Sequence, residues 1–323
     1  MKDSRRVFIL IEVTLAGILI LVTAAMLREY RGREPDRIAV ILQEPDASRW
    51  AAFKYGLRAA AEDAGVDVLI VSAGEQPDAG EEETALEREI VNGADAVILQ
   101  LHPDGGTVGL LERIDGRVPV MVTGCPSFAK EGVSAAATGP DNYAMGAALA
   151  EELLADCGGS LAGRTVGLLS DMAEAEEGKD RESGFTGALK EAGGTVAWSV
   201  QNSGQDGWEE LLEAQEPVDF VICLDDSSLV AAGKEAGANN LHGALVYGIG
   251  HSTEAVYQLD MGNAECLVVP DEFNVGYQSV TEVARRLQSR FYDMKDTTVS
   301  HIMLYRETLF SRENQELLFS MSQ

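Results

Sequence analysis

Short apolar runs alternate with amphipathic stretches along most of the chain. IAVILQ (38–43) leads to GLRAAAEDAG (56–65) and then to VDVLIVS (66–72). The same order returns as TVGLLS (165–170), GFTGALKEAG (184–193) and TVAWSV (195–200). Gly56 matches Gly184, Leu57 matches Phe185, Asp63 matches Glu191, and Ala64-Gly65 matches Ala192-Gly193. Further along, GADAVILQ (93–100) is echoed by PVDFVICL (217–224). Near-continuous apolar runs suit strands buried on both faces of a parallel sheet, with helices as the crossovers. The pattern predicts strands at 37–43, 66–72, 95–101, 118–123 and 132–138, and again at 164–170, 195–200, 218–224, 244–249 and 265–270. Helices are predicted to fill the gaps, for example at 49–64, 81–92, 142–156, 181–192, 226–236 and 274–290, with a last strand at 299–305. Two such sets give an α/β fold of two doubly wound, parallel-sheet lobes. Ligands of such sheets sit beyond the carboxyl ends of the strands, so a cleft between the lobes is the expected site.

One apolar run breaks this pattern. Residues 7–27, VFILIEVTLAGILILVTAAML, are long enough for a helix of about 31 Å, close to a hydrocarbon core of about 30 Å. Lys2, Arg5 and Arg6 precede it. The run exceeds the apolar core of a cleavable signal, and no convincing A-x-A site follows. The expectation is an N-terminal transmembrane signal-anchor, with residues 1–6 cytoplasmic, 28–36 a linker, and the α/β part on the extracytoplasmic side of the plasma membrane. A cleaved signal peptide is the alternative.

The net charge of −28 rests on 53 acidic against 25 basic residues, nearly all of the excess lying beyond residue 36. Nucleic acid is therefore excluded as a partner, because phosphate contacts need clustered Lys and Arg. Cys125, Cys157, Cys223 and Cys266 have no CxxC spacing, so neither a zinc site nor a redox pair is expected. No phosphate-binding loop, G-x-G-x-x-G after a first strand, G-x-S-x-G elbow or H-E-x-x-H is present, so no enzyme and no cofactor is expected.

Several local motifs appear in a telling order: WAAFKYGLRAAAEDAG (50–65), PDNYAMGAALAEEL (140–153), RESGF (181–185), LDDSSLVAAGKEAG (224–237), VYGIGHSTEAV (246–256) and DEFNVGYQSV (271–280). Together they resemble the type I periplasmic binding proteins, the ribose-binding and lactose-repressor-like sugar-binding superfamily. The resemblance covers about residues 36–306. It implies a three-segment hinge joining lobe 1 (36–139 and 271–296) to lobe 2 (140–270 and 297–310), with 311–323 as a polar tail. It also implies closure of the lobes on a small ligand.

Candidate ligand-binding residues follow from strand ends and from this resemblance. Trp50 offers a flat apolar ring to the CH-rich face of a sugar, or packs under its own loop. Gln43 and Arg49 flank it, and His102 ends another strand of the same lobe. In the second lobe Arg181 brings five donors in a fixed fork, unless Asp180 or Glu182 occupies it. Asp225 falls where the family often has an Asn, Asp226 and Asp141 read as helix caps, and His251 follows a strand end. The pattern departs from the family at Gly124-Cys125, where Asp-Arg is common, at Gly250 and at Pro270. Two histidines from distant strand ends do not define a metal site. The chain reads as an extracytoplasmic solute-binding protein that captures a small polar, saccharide-like ligand for an ABC importer. The alternative is a sensing module for a membrane partner such as a histidine kinase.

Overall fold

A computed structural model describes residues 14–23, 35–43, 45, 50–74, 79–100, 106–114, 116–124, 135–172, 175–202 and 207–321. The first 36 residues form a unit separate from 37–323. Within that unit, 14–23 is helical (α1), and Leu15, Leu19 and Leu21 are exposed. Among the described residues no helix is long and apolar enough to cross a membrane. Half of the apolar run 7–27 lies outside them.

The first sheet of the larger unit holds β1 (Arg37–Leu42), β2 (Asp67–Ser72), β3 (Ala96–Gln100), β4 (Val120–Thr123), β5 (Ala136–Pro140) and β11 (Thr297–Val299). Their order is β11-β5-β4-β3-β1-β2, all parallel. The second holds β6 (Thr165–Ser170), β7 (Thr195–Gln201), β8 (Phe220–Cys223), β9 (Leu245–Ile249), β10 (Cys266–Pro270) and β12 (His301–Tyr305), ordered β12-β10-β9-β8-β6-β7. Only β12 runs antiparallel, against β10. The helices are α2 (Ala51–Ala64), α3 (Ala79–Val91), α4 (Gly106–Ile114), α5 (Asn142–Asp156), α6 (Glu176–Glu191), α7 (Trp208–Glu213), α8 (Asp226–Gly237), α9 (Thr253–Met261), α10 (Glu272–Gln288) and α11 (Arg312–Met321).

Each sheet is covered on both faces, which explains the continuous apolar runs. In lobe 1, Ile38, Val40, Ile98 and Phe53 fill one face and Ile41, Leu99, Leu86 and Leu110 the other. In lobe 2, Val166, Ile222, Phe185 and Leu149 fill one face and Leu169, Val221, Leu229 and Leu267 the other. α4, α7 and α9 are short and lie in gaps between strands where helices are expected. The segment 311–323, expected as a tail, contains α11, whose Leu317 and Leu318 pack against the lobe 2 core. The expected strand 299–305 is two strands in different sheets, so the third crossing lies at Ser300.

Three crossings connect the lobes and are tied to one another. Asp141 N–H donates to Val299 C=O at 2.9 Å, and His301 pairs with Pro270 in the β10–β12 register. Asp141 caps α5 through Ala144 N–H, and Asp271 caps α10 through Asn274 N–H. These caps fix where each helix starts just after its crossing.

The repeat has a packing cause. A Cβ on Gly56 would collide with the Phe273 carbonyl, and one on Gly184 with the Tyr143 carbonyl. The helices they face carry reciprocal glycines: Gly276 lies on the Phe53 carbonyl and Gly146 on the Arg181 carbonyl. Each lobe is therefore anchored by a helix pair, α2 with α10 and α5 with α6, in backbone contact at two glycines.

Candidate ligand cleft

On the lobe 1 side, β1 runs out at Leu42, and Gln43 N–H donates to Gln100 Oε1 at 2.9 Å. The Gln43 side chain reaches Glu82 Oε1 at 3.4 Å, and Glu82 is buried at the start of α3. Trp50 stands at the N-cap of α2, half-buried. Its indole N–H donates to Gln43 C=O at 3.0 Å, and its ring meets Phe53 edge-on at 5.6 Å. Trp50 thus both packs against its own lobe and keeps part of its surface at the strand ends. Arg49, His102 and Cys125 lie outside the described residues.

On the lobe 2 side, Arg181 occupies the second turn of α6 and is only 8% exposed. Its Nε donates to Asn142 Oδ1 at 2.8 Å and its Nη1 to Leu224 C=O at 2.9 Å. Met172 Sδ lies 3.9 Å from Nη1. These bonds go to neutral acceptors rather than to Asp180 or Glu182. Its hydrogen-bond acceptors are thus uncharged, and its charge is felt instead by Glu177 and Glu272. Its Nη2 carries none of these hydrogen bonds, so the fork retains donors for a ligand.

The cap of α8 is Asp225, not Asp226 as the sequence suggests. Asp225 is the cap of α8: Oδ1 accepts from Ser228 N–H at 2.9 Å and Oδ2 from Asp171 N–H at 2.8 Å. With its side chain buried, it first orders the ends of β6 and β8. Asp226 Oδ1 accepts from the backbone N–H groups of His251 and Ser252, at 2.7 and 2.8 Å. His251 is therefore fixed at the end of β9 through its backbone. A side chain at Gly250 would meet Ala255, the Asp226 carboxylate and Leu229 within 3.1 Å. The aspartate that the family often places there has no room beside Asp226.

Three carboxyl groups of this region, Asp171, Glu177 and Glu272, are disfavoured as anions. Burial, then the Asp225 charge, pushes Asp171 up to about 7. Burial raises Glu177 as well, while Arg181 opposes the rise. Burial and the Glu177 charge push Glu272 up to about 7, again with Arg181 in opposition. Glu272 opens α10 of lobe 1, and Glu177 lies in the first turn of α6 of lobe 2, so the two lobes approach one another there.

Asn142 and Glu272 were not singled out from the sequence. A signal existed: PDNYAMG (140–146) and PDEFNVG (270–276) repeat one another, placing Asn142 and Glu272 at equivalent positions.

The periplasmic binding protein domain family matches residues 38–290, and the chain belongs to that family. That family is one of binding proteins, so this chain is a binding protein and not an enzyme. GanP, a glucose-galactose binding protein from Geobacillus stearothermophilus, is 19% identical with a TM-score of 0.72, covering 86% of this chain and 100% of its own. A Burkholderia graminis ABC transporter solute binding protein in complex with D-arabinose is 17% identical with a TM-score of 0.73, covering 85% and 96%. A XylFII–LytSN complex is 13% identical with a TM-score of 0.70, covering 85% and 99%. A search of the curated proteins found no match.

Proposed function

We propose that this chain is an extracytoplasmic solute-binding protein that captures a small polar, saccharide-like ligand between its lobes for an ABC importer. The observation that carries this reading is Arg181, buried, oriented by Asn142 and Leu224, and retaining donors at the strand ends. Trp50 at the start of α2 supplies the apolar surface of the opposite lobe. GanP and the arabinose-bound Burkholderia protein, which share the fold, support the ligand class. Residues 7–27 anchor the chain in the plasma membrane, leaving the α/β part outside. A thermal-shift screen of sugars, polyols, amino acids and nucleosides tests the reading. A stabilising hit that vanishes in Arg181→Ala supports it, and a screen without hits counts against it.

The XylFII–LytSN complex favours a second reading, because there a protein of this fold is assembled with a second protein. On that reading the closed state is read by a membrane signalling partner such as a histidine kinase. Adjacent genes separate the two: permease and ATPase genes for import, kinase and response-regulator genes for sensing.

A further inference from the structure

Glu177 of lobe 2 and Glu272 of lobe 1 are half-buried, and neither forms a hydrogen bond or an ion pair among the described residues. The aspartates around them are engaged. Asp225 caps α8, Asp271 caps α10, and Asp226 holds the His251 and Ser252 N–H groups. Glu176, beside Glu177 in sequence, is paired with Lys179 at the surface.

Glu177 lies in the first turn of α6, one turn before Arg181, so the two side chains share a face of that helix. Glu272 opens α10 and feels both the Glu177 and the Arg181 charges. The three groups therefore lie about one gap between the lobes. Acids prevail there. Asp180 adds to the negative field at Glu177 and Asp271 to that at Glu272, while Arg181 is the one cation acting on either among the described residues. Half-buried carboxylates short of a counter-charge are costly. Among the described residues no three His, Cys, Asp or Glu side chains are grouped to hold a metal ion, so the gap suits an ammonium rather than a metal. Arg181 Nη2, which makes no hydrogen bond among the described residues, calls for an acceptor beside that ammonium.

We infer that the ligand of this cleft is an amino sugar or amino polyol, whose ammonium lies between Glu177 and Glu272 while one of its hydroxyls accepts from Arg181 Nη2. The inference rests on the solute-binding reading and narrows its ligand class. A neutral saccharide would leave both glutamates without a counter-charge. An ammonium donates to a carboxylate from each lobe, so its bonds are completed as the lobes close.

The test is calorimetric titration of the full chain with matched ligands at neutral pH: glucosamine against glucose, galactosamine against galactose, and glucamine against glucitol. N-acetylglucosamine serves as the capped, uncharged control. The expected result is at least one amine bound about tenfold or more tightly than its neutral parent, with the capped control no better than glucose. Glu177→Gln and Glu272→Gln should each shrink that preference, and the double variant should abolish it while affinity for the neutral parent is kept. Glu191→Gln, an exposed position at the far end of α6, should leave the preference intact. A neutral parent that binds as tightly as its amine overturns the inference and leaves the saccharide reading standing. A preference that survives in the double variant overturns the placement of the ammonium between Glu177 and Glu272. A panel in which neither series binds overturns the inference together with the saccharide reading.

Discussion

Arg181 and Asn142 are joined by a 2.8 Å hydrogen bond that ties α6 to the helix entering lobe 2 at the hinge. The bond makes Arg181, the proposed ligand contact, part of the crossing itself. Loss of the guanidinium is expected to remove both its ligand bonds and its hold on Leu224 C=O. Arg181→Ala should weaken ligand binding at least tenfold, about 1.4 kcal/mol, and lower stability by about 1–3 kcal/mol. Arg181→Lys should not restore binding, because an ammonium cannot span both acceptors as the planar fork does. Asn142→Ala should weaken binding less while leaving Arg181 in place. Calorimetry and chemical denaturation on the three variants check this ordering.

Backbone contact at the paired glycines should be intolerant of a single methyl. Gly146→Ala and Gly184→Ala should each destabilise lobe 2 by about 1–3 kcal/mol or more, and Gly56→Ala should do the same in lobe 1. Gly207→Ala is the control: its φ is −70° and nothing lies within 4 Å of a Cβ there, so it should stay within about 0.5 kcal/mol. Thermal melts that rank all four alike would refute the packing account of the repeat.

Stability should fall as pH rises from about 4 to about 7. Asp171 and Glu272 are raised in the folded state from ordinary values of 3.8 and 4.5 to about 7. The folded chain then binds more protons than the unfolded chain across that window, so raising the pH disfavours it. Above about 7 both groups are charged and the penalty is constant. Asp171→Asn and Glu272→Gln should flatten the dependence. Glu272→Gln should raise stability at pH 8 by about 1 kcal/mol, and Asp171→Asn by less, because solvent screens the exposed Asp171. Melts between pH 4 and 8 decide the matter, and an unchanged slope in both variants contradicts it.

The apolar run has its own test. Intact-mass measurement on the membrane fraction should recover a chain that still begins at Met1. A soluble chain shortened by the first 27 or more residues would replace the anchor with a cleaved signal.

Much of the scaffold was legible because buried parallel strands and their crossover helices leave strong periodic signals. Gly56 and Gly184 stood out as a repeat, and their reciprocal contacts now explain why glycine recurs there. Their partners, Gly146 and Gly276, were equally present in PDNYAMG and PDEFNVG but lie far apart in sequence, where helix pairing cannot be read. Ser300 escaped notice because β11 and β12 are short and separated by that one residue, and only strand pairing assigns them to different sheets. At the site, Arg181 was legible from its motif. The roles of Asp225 and Asp226 were not, since two adjacent aspartates before a helix satisfy the same cap pattern until backbone geometry chooses between them. Asp171 acquires its character beside Asp225 and Glu272 beside Glu177, contacts between distant segments that no local pattern encodes.

The central claim is that one ligand is held between Trp50 and Arg181. The most direct measurement is calorimetric titration of the best saccharide or polyol hit into the full chain, Trp50→Ala and Arg181→Ala at matched fold stability. The account predicts saturable one-to-one binding that weakens in Trp50→Ala and falls at least tenfold, about 1.4 kcal/mol, in Arg181→Ala. Binding of undiminished affinity in both variants would contradict it.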